Sequence, residues 1–368
     1  MRIARTVSSE GTDLLVGGED LDALIATKAS VVDLRIPVEA GRVADWAAFE
    51  DIVKYVVVKE LGIRRAHNDT PALLVVPLAW STVDMERAVQ IMFETINVPG
   101  LLVADAPLVS LFACGIVTGL VIDMGHETTD IAAVIDSSVC KHSAQTLPIG
   151  GKHVHAYLHQ LLEHDPLFMQ SLSVGGFVLD DELVQAFIAN SGQCKLLNVK
   201  EWTRPPLINQ IKRTEWVYKG VKLSIGAQRH QAFEVFFQPS LAGIDSLGIP
   251  EASYLTVMGC SDQLDKRFSV WEGVFLTGGA SAVPGLQERY EKEMDVFMSA
   301  SATSNDFQAK EIKFAGIPEF FGAYKQGGCD AAYLGGVIVA RLTLGSPSQH
   351  ITRNDYNEHG PGVVRIKG

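Results

Sequence analysis

The chain has 368 residues, 47 % of them apolar and only 20 % charged, which is the composition of a folded protein with a sizeable core and excludes a disordered one. Its 31 Lys and Arg against 43 Asp and Glu leave a net charge of −12, which excludes a broad nucleic-acid surface, because duplex binding rests on neutralising phosphates. Five scattered cysteines without a C-x-x-C pair read as reduced, mostly buried thiols, and the sequence has neither a signal peptide nor a run of 18 apolar residues, so a soluble protein of cytoplasm or nucleus is expected.

In chain order, Val31–Val38 has strand character, with a proline near its end. Asp45 is placed to cap a helix running to about Leu61, in which Trp46, Phe49, Ile52, Val53 and Val56 recur at helical spacing. Ala72–Val76 is a short continuous apolar run, as a buried strand requires. Ser81 and Asp84 form a capping box for a helix to about Ile96. Leu101–Ala104 reads as another buried strand, and Pro107–Cys114 as a helix closed by Gly115. Three strand segments follow, Gly119–Asp123, Thr129–Ile135 and about His142–Leu147, and then Gly150-Gly151 opens a helix to about Leu162. Leu179–Ala189 is helical, whereas Lys195–Trp216 has no clear period and reads as a variable, partly mobile insertion. A strand–Gly–Gly–helix unit recurs over Val274–Met294, and Gly335-Gly336 is read as opening an apolar helix to about Leu344. Glycines before a helix N-terminus make an anion site in principle.

The most informative stretch is GLVIDMGHETTD, Gly119–Asp130. It is a strand, a tight turn and a second strand. Such a hairpin can lie against phosphate through its backbone N–H groups, provided the tip is small. Here the tip is His126-Glu127, so a carboxylate stands where a phosphate would go. Asp123 is read as capping the hairpin by hydrogen bonds, and Gly278-Gly279 as a tight strand-to-helix turn.

Six segments carry a family resemblance: RIPVEAGRVADW (Arg35–Trp46), QIMFETINVPGL (Gln90–Leu101), LPIGGKHVHAYLHQLL (Leu147–Leu162), FQPSLAGIDSLGIPEA (Phe237–Ala252), LTGGASAVPGL (Leu276–Leu286) and ITRNDYNEHGP (Ile351–Pro361). They resemble actin in sequence and order, from about Asp13 to Pro361. The resemblance implies an α/β, actin-like (ribonuclease H-like) fold of two lobes and four subdomains around a central cleft. It places 1–36 in a subdomain 2-like segment and 37–113 with 331–368 in subdomain 1. Subdomain 3 would take 114–149 with 244–330, and subdomain 4 would take 150–243. Within the family, KFAGIPEFFGAYKQGGCDAAYLGG (Lys313–Gly336) and the Thr129-Asp130 pair are most similar to fungal nuclear actin-related proteins of SWI/SNF- and RSC-type chromatin remodellers.

That resemblance lets each nucleotide group be checked by position. Asp123, Gly125, Gly278 and Gly279 are retained and would form a vestigial nucleotide pocket. His126 and Glu127 stand where the family has Asp and Gly. The water-positioning Gln becomes Ala106, the Lys near the last Gly-Gly becomes Cys329, a Lys-Glu pair becomes Ile188-Ala189, and an aromatic against the base becomes Val283. Only 34 residues precede Arg35, and no acidic Gly-Ser-Gly loop appears near Asp13, so the first phosphate hairpin is expected to be missing from this sequence. Phosphoryl transfer depends on positioning and charge stabilisation. Glu127 beside a triphosphate would add about 1 kcal/mol of repulsion or more. The chain is therefore expected to be no enzyme and to need no cofactor, ATP included.

The resemblance also implies partners: a second actin-related protein and the helix preceding a remodeller ATPase motor, in the nucleus, with no membrane and DNA reached only through the complex. Phe112, Val339, Leu342 and Leu344 would line the hydrophobic groove that takes an amphipathic helix. An ATP-binding actin relative, such as the pointed-end actin-related subunit of dynactin, is the alternative. A local basic patch such as Arg204–Arg213 could touch DNA. His155 and His159, four apart on one helix, lack the remaining ligands of a metal site and read as a solvated face.

Overall fold

The computed structural model describes residues 3–8, 11–16, 31–195, 211–260, 266–300, 311–324 and 328–367. The chain forms two compact units: Met1–Ala106 with Gly336–Gly368, and Pro107–Gly335.

In the first unit, strands Gly11–Val16, Ile3–Ser8 and Val31–Arg35 make an antiparallel sheet in that order. Pro37 ends the third strand early. A two-residue turn at Ala40-Gly41, both at positive φ, then pairs Val38–Glu39 with Arg42–Val43. Asp45 caps the helix Trp46–Lys54 by accepting from the Ala48 N–H at 3.0 Å, and the coil continues as a π-helical turn, Tyr55–Glu60, to the expected end at Leu61. This backbone hydrogen bond, with Arg35 beside it, holds the Asp45 carboxyl below its ordinary pKa. Ser81 and Asp84 form the expected box, each accepting from the other's N–H, at the start of the helix Thr82–Gln90; a second π-helical turn, Ile91–Ile96, extends it. This helical segment is the crossover between the parallel strands Ala72–Val76 and Gly100–Asp105. The core of the unit gathers around Phe93, whose ring stacks on Tyr356 at 4.5 Å. Arg353 lies over the same ring and donates to the carbonyls of Phe93 and Val98.

The second unit is built on a sheet in the order Ser138–Val139, Thr129–Ile135, Gly119–Met124, Val274–Thr277, with Gln145–Leu147 also on Thr129–Ile135. Its two long strands are buried along almost their whole length, which explains their largely apolar sequence, broken only where Asp123 and Asp130 face each other. The strand expected over His142–Leu147 is shorter. Asp136 and Ser137 sit at positive φ and turn the chain at once into Ser138–Val139, so His142, Ser143 and Ala144 lie in the following turn.

A helix that sequence reading does not find, Pro166–Val174, follows Leu162. Asp165 caps it by accepting from Leu167 and Phe168, and Pro166 takes its first position. The next helix is Asp181–Ser191. Of the stretch read as an insertion, residues 196–210 lie outside the described residues, while Thr214–Tyr218 pairs with Val221–Ile225 as an ordered hairpin. Arg289 is fully buried, bridging Glu234 at 2.8 Å and Glu293 at 2.6 Å, with Phe237 under its guanidinium.

Two glycine pairs differ from expectation. After Gly278-Gly279 a single 3-10 turn intervenes, and the helix begins only at Leu286. Gly335 and Gly336 do not open a helix but lie inside one, Ala331–Thr343. A Cβ on Gly335 would sit 1.7 Å from the Val109 carbonyl oxygen, so this glycine serves close backbone packing.

Candidate functional site

The strands Gly119–Met124 and Val274–Thr277 run parallel in a register that sets Thr277 beside Asp123. The chain must then leave the second strand across the end of the first. Gly278 does this at φ +88°, and a Cβ there would lie 2.4 Å from Asp123 Oδ1 and 2.5 Å from the Met124 carbonyl oxygen. Only glycine satisfies both the dihedral and the approach. Gly279, by contrast, faces open space. Two of the four retained pocket residues, Asp123 and Gly278, are therefore in direct juxtaposition, and Gly125 follows on the same hairpin.

Asp123 does not cap that hairpin. The turn is closed by backbone, Gly125 N–H donating to the Thr128 carbonyl at 2.9 Å, and no donor among the described residues reaches the Asp123 carboxylate. Its cross-strand partner is Asp130, and directly opposed residues of an antiparallel pair share a face. Burial, with this second carboxylate adding to it, pushes the Asp123 pKa up to about 6. Asp130 is steadied by Thr146, whose hydroxyl donates at 2.6 Å.

The hairpin tip packs on the start of the helix Gly151–Glu163. The N–H of Gly151 donates to the Gly125 carbonyl at 3.0 Å, and that of Lys152 to the His126 carbonyl at 2.8 Å. Gly150 is glycine because a Cβ would come within 2.5 Å of the His126 carbonyl oxygen. The Gly150 N–H donates to His153 Nδ1 at 3.0 Å, and burial holds the His153 pKa below its ordinary value, which keeps that nitrogen an acceptor. The N–H groups that made Gly150-Gly151 an anion site in principle are thus already used.

Glu127 is not the bare negative charge that its sequence position suggests. Lys152 Nζ lies 2.9 Å from its carboxylate, which offsets much of the expected repulsion towards a phosphate. Sequence reading passes over Lys152. Its signal is being the first cation after the glycine pair, on the first turn of the helix that meets the tip.

The residues present fit a nucleotide in part only. Beside the Gly278 turn, a groove of about 320 Å3 is lined by Ser281, Val283, Gly285, Gln287 and Glu288, so space remains. The thiol of exposed Cys329, which the actin resemblance sets at the position of a lysine, points at the Gly278 carbonyl oxygen, 3.9 Å away. Ile188 and Ala189 lie on the helix Asp181–Ser191, and Ala106 starts the helix Ala106–Ala113. The tip carries a paired carboxylate instead of glycine.

The expected partner residues lie in two places. Phe112 is half-buried on the helix Ala106–Ala113. Val339 is half-buried and Leu342 is 74 % exposed on the helix Ala331–Thr343, and half-buried Leu344 stands just beyond its end. Of the basic stretch, Arg213 is committed to Asp165 at 2.7 Å and to Ser224; residues 204–210 lie outside the described residues. His155 and His159 are both partly exposed, and His155 Nε2 approaches the Asp181 carbonyl at 3.4 Å. Among the described residues no helix is long and apolar enough to cross a membrane.

The sequence profile of the actin family matches residues 4–174 and 193–368. Actin-related protein 7 of Arabidopsis thaliana is 30 % identical over 90 % of this chain and 84 % of its own length. The SWI/SNF and RSC complexes subunit arp9 of Schizosaccharomyces pombe is 25 % identical over 90 % of this chain and 78 % of its own length. Actin-related protein 2 of Oryza sativa subsp. japonica is 26 % identical over 98 % of this chain and 87 % of its own length.

Proposed function

Since the chain belongs to the actin family, and specifically to the actin-related proteins, we propose that it is a non-catalytic scaffold subunit of an ATP-dependent chromatin-remodelling complex in the nucleus. In this reading it pairs with a second actin-related protein and grips the helix that precedes the remodeller ATPase motor. The observation that carries the reading is the phosphate hairpin. Its tip holds the Glu127–Lys152 pair in place of a bare glycine turn, and a thiol stands where an ammonium would face the Gly278 turn. A site so altered retains shape without the charges that move a phosphoryl group. The similarity to the arp9 subunit over nearly the whole chain supports the remodeller assignment.

Leu342 supports the partner half. A leucine 74 % exposed near the end of an apolar helix is the kind of anchor that the apolar face of a partner helix covers. The residues assigned to that contact are Phe112, Val339, Leu342 and Leu344. Asp123, Gly125, Gly278 and Gly279 are assigned to the vestigial pocket, which needs no cofactor in this reading.

One observation favours the second reading, an ATP-binding actin relative of the filament or dynactin pointed-end kind. Asp123 is a partly buried carboxylate with no donor among the described residues, and a bound cation would relieve it.

The test is a binding titration in nucleotide-free buffer. The protein, alone and with a candidate actin-related partner, is titrated with the long helix that precedes a remodeller ATPase domain. Partner-dependent binding with Kd below about 1 μM is the expected result. No binding to such a helix, together with stoichiometric ATP released on denaturing the purified protein, overturns it in favour of the second reading.

A further inference from the structure

The first unit carries a groove that neither the nucleotide pocket nor the assigned partner residues use. It has a volume of about 390 Å3 and lies between the two π-helical turns, Tyr55–Glu60 and Ile91–Ile96. Wide turns of this kind recur at functional sites. The apolar lining comes from Tyr55, Val57, Val58, Ile63 and Ile96. Val58 is 49 % exposed, and Leu61, just beyond, is 63 % exposed.

The charge around this groove opposes that of the whole chain. Three cations line it, Lys54, Lys59 and Arg65, against one carboxylate, Asp51. Asp51 is already approached by Arg35 at 3.7 Å, and Lys54 is paired with Glu50 at 2.8 Å. Lys59 has no carboxylate partner among the described residues. Among the described residues Arg65 donates to the Glu94 backbone carbonyl at 2.8 Å and likewise has no carboxylate partner. The Glu94 carboxylate accepts from the Tyr356 hydroxyl at 2.8 Å and from Gln90 at 3.1 Å, and among the described residues it forms an ion pair with neither Lys59 nor Arg65. A net charge of −12 makes a cationic rim around an apolar groove a selective feature.

We propose that this groove docks an acidic amphipathic helix of a partner protein. The apolar face of the helix fills the space between the two π-turns, and its carboxylates meet Lys59 and Arg65. The choice of a helix over a flat anionic surface follows from the shape: a bounded apolar groove with cations on its rim fits ridges of side chains at i, i+3 and i+4. The proposal uses residues distinct from Leu342 and stands independently of the remodeller assignment.

The test uses the full chain and a fluorescein-labelled helical peptide of about 18 residues, with Leu on one face and Glu on the other. A matched peptide with Lys for Glu and vesicles of phosphatidylserine are run beside it. The Leu/Glu peptide is expected to bind, more weakly as salt rises, while the Leu/Lys peptide and the vesicles do not. Lys59→Glu should raise Kd about fivefold and flatten the salt dependence, and Val58→Asp should abolish binding. Both positions are exposed, and circular-dichroism melts check that the fold is unchanged. Leu342→Asp should bind the peptide as the parent does. Equal binding of both peptides, binding only to vesicles, no binding at all, or indifference to Lys59→Glu and Val58→Asp overturns the proposal.

Discussion

Replacing Asp123 with Asn tests the electrostatics of the hairpin directly. In the folded protein this carboxyl is raised from the ordinary aspartate value of 3.8 to about 6, mainly by burial and secondarily by Asp130 on the same face. The difference corresponds to about 3 kcal/mol. Its sign follows from which state holds the proton. Well below pH 3.8 folded and unfolded chains are both protonated, and no penalty exists. As pH rises from about 4 to about 6, the unfolded chain gives up the proton while the folded one keeps it, so stability falls. Above that window both are ionised and the penalty is constant. Asn cannot ionise and has nearly the same shape. Asp123→Asn is therefore expected to be more stable than the parent by up to about 3 kcal/mol at pH 7.5, and by only about 1 kcal/mol at pH 4.5. The assay is urea denaturation of both proteins at the two pH values, without nucleotide and with a chelator present. An advantage that does not shrink on acidification, or a destabilised variant, refutes the argument. With Mg-ATP added, a reversed order would speak for the second functional reading, because the carboxylate would then have a cation to bind.

Three further outcomes are expected. Gly335→Ala should cost about 3 kcal/mol or more, because its Cβ would meet the Val109 carbonyl oxygen at 1.7 Å, whereas Gly279→Ala, with no atom in its way, should stay within about 0.5 kcal/mol; thermal melts of the two variants decide. Arg289→Ala leaves Glu234 and Glu293 buried without their cation and should destabilise by about 3–5 kcal/mol in denaturant titration. Leu342→Asp should leave the melting temperature unchanged, since the side chain is 74 % exposed, yet weaken association with the motor-adjacent helix at least tenfold by anisotropy.

Local chemistry made much of the fold legible in the sequence. Asp45 and the Ser81/Asp84 box mark helix starts because a side-chain oxygen meets an N–H two or three residues on, a contact that needs no tertiary partner. Ala72–Val76 is visible as a strand because a sheet interior demands a continuous apolar run. The helix Pro166–Val174 was equally marked, by Asp165-Pro166, but lay in a stretch whose polar turns hid its period. The family was legible as well, in six ordered segments that the profile match spans.

What the sequence by itself determined was the family and those elements whose caps and apolar runs are local, such as the helices after Asp45 and Ser81 and the strand Ala72–Val76. Only the tertiary structure decided what the site residues meet. The Glu127 charge is offset by Lys152, a residue 25 positions away that a separate helix brings to the tip. Asp123 turned out to lack the hydrogen bonds assigned to it, because the backbone of Gly125 and Thr128 closes the turn without it. Gly335 and Gly336 pack inside a helix that their sequence suggested they would begin. In each case local sequence specifies dihedrals and caps, whereas charge compensation and close approach depend on through-space distances set only when distant segments pack.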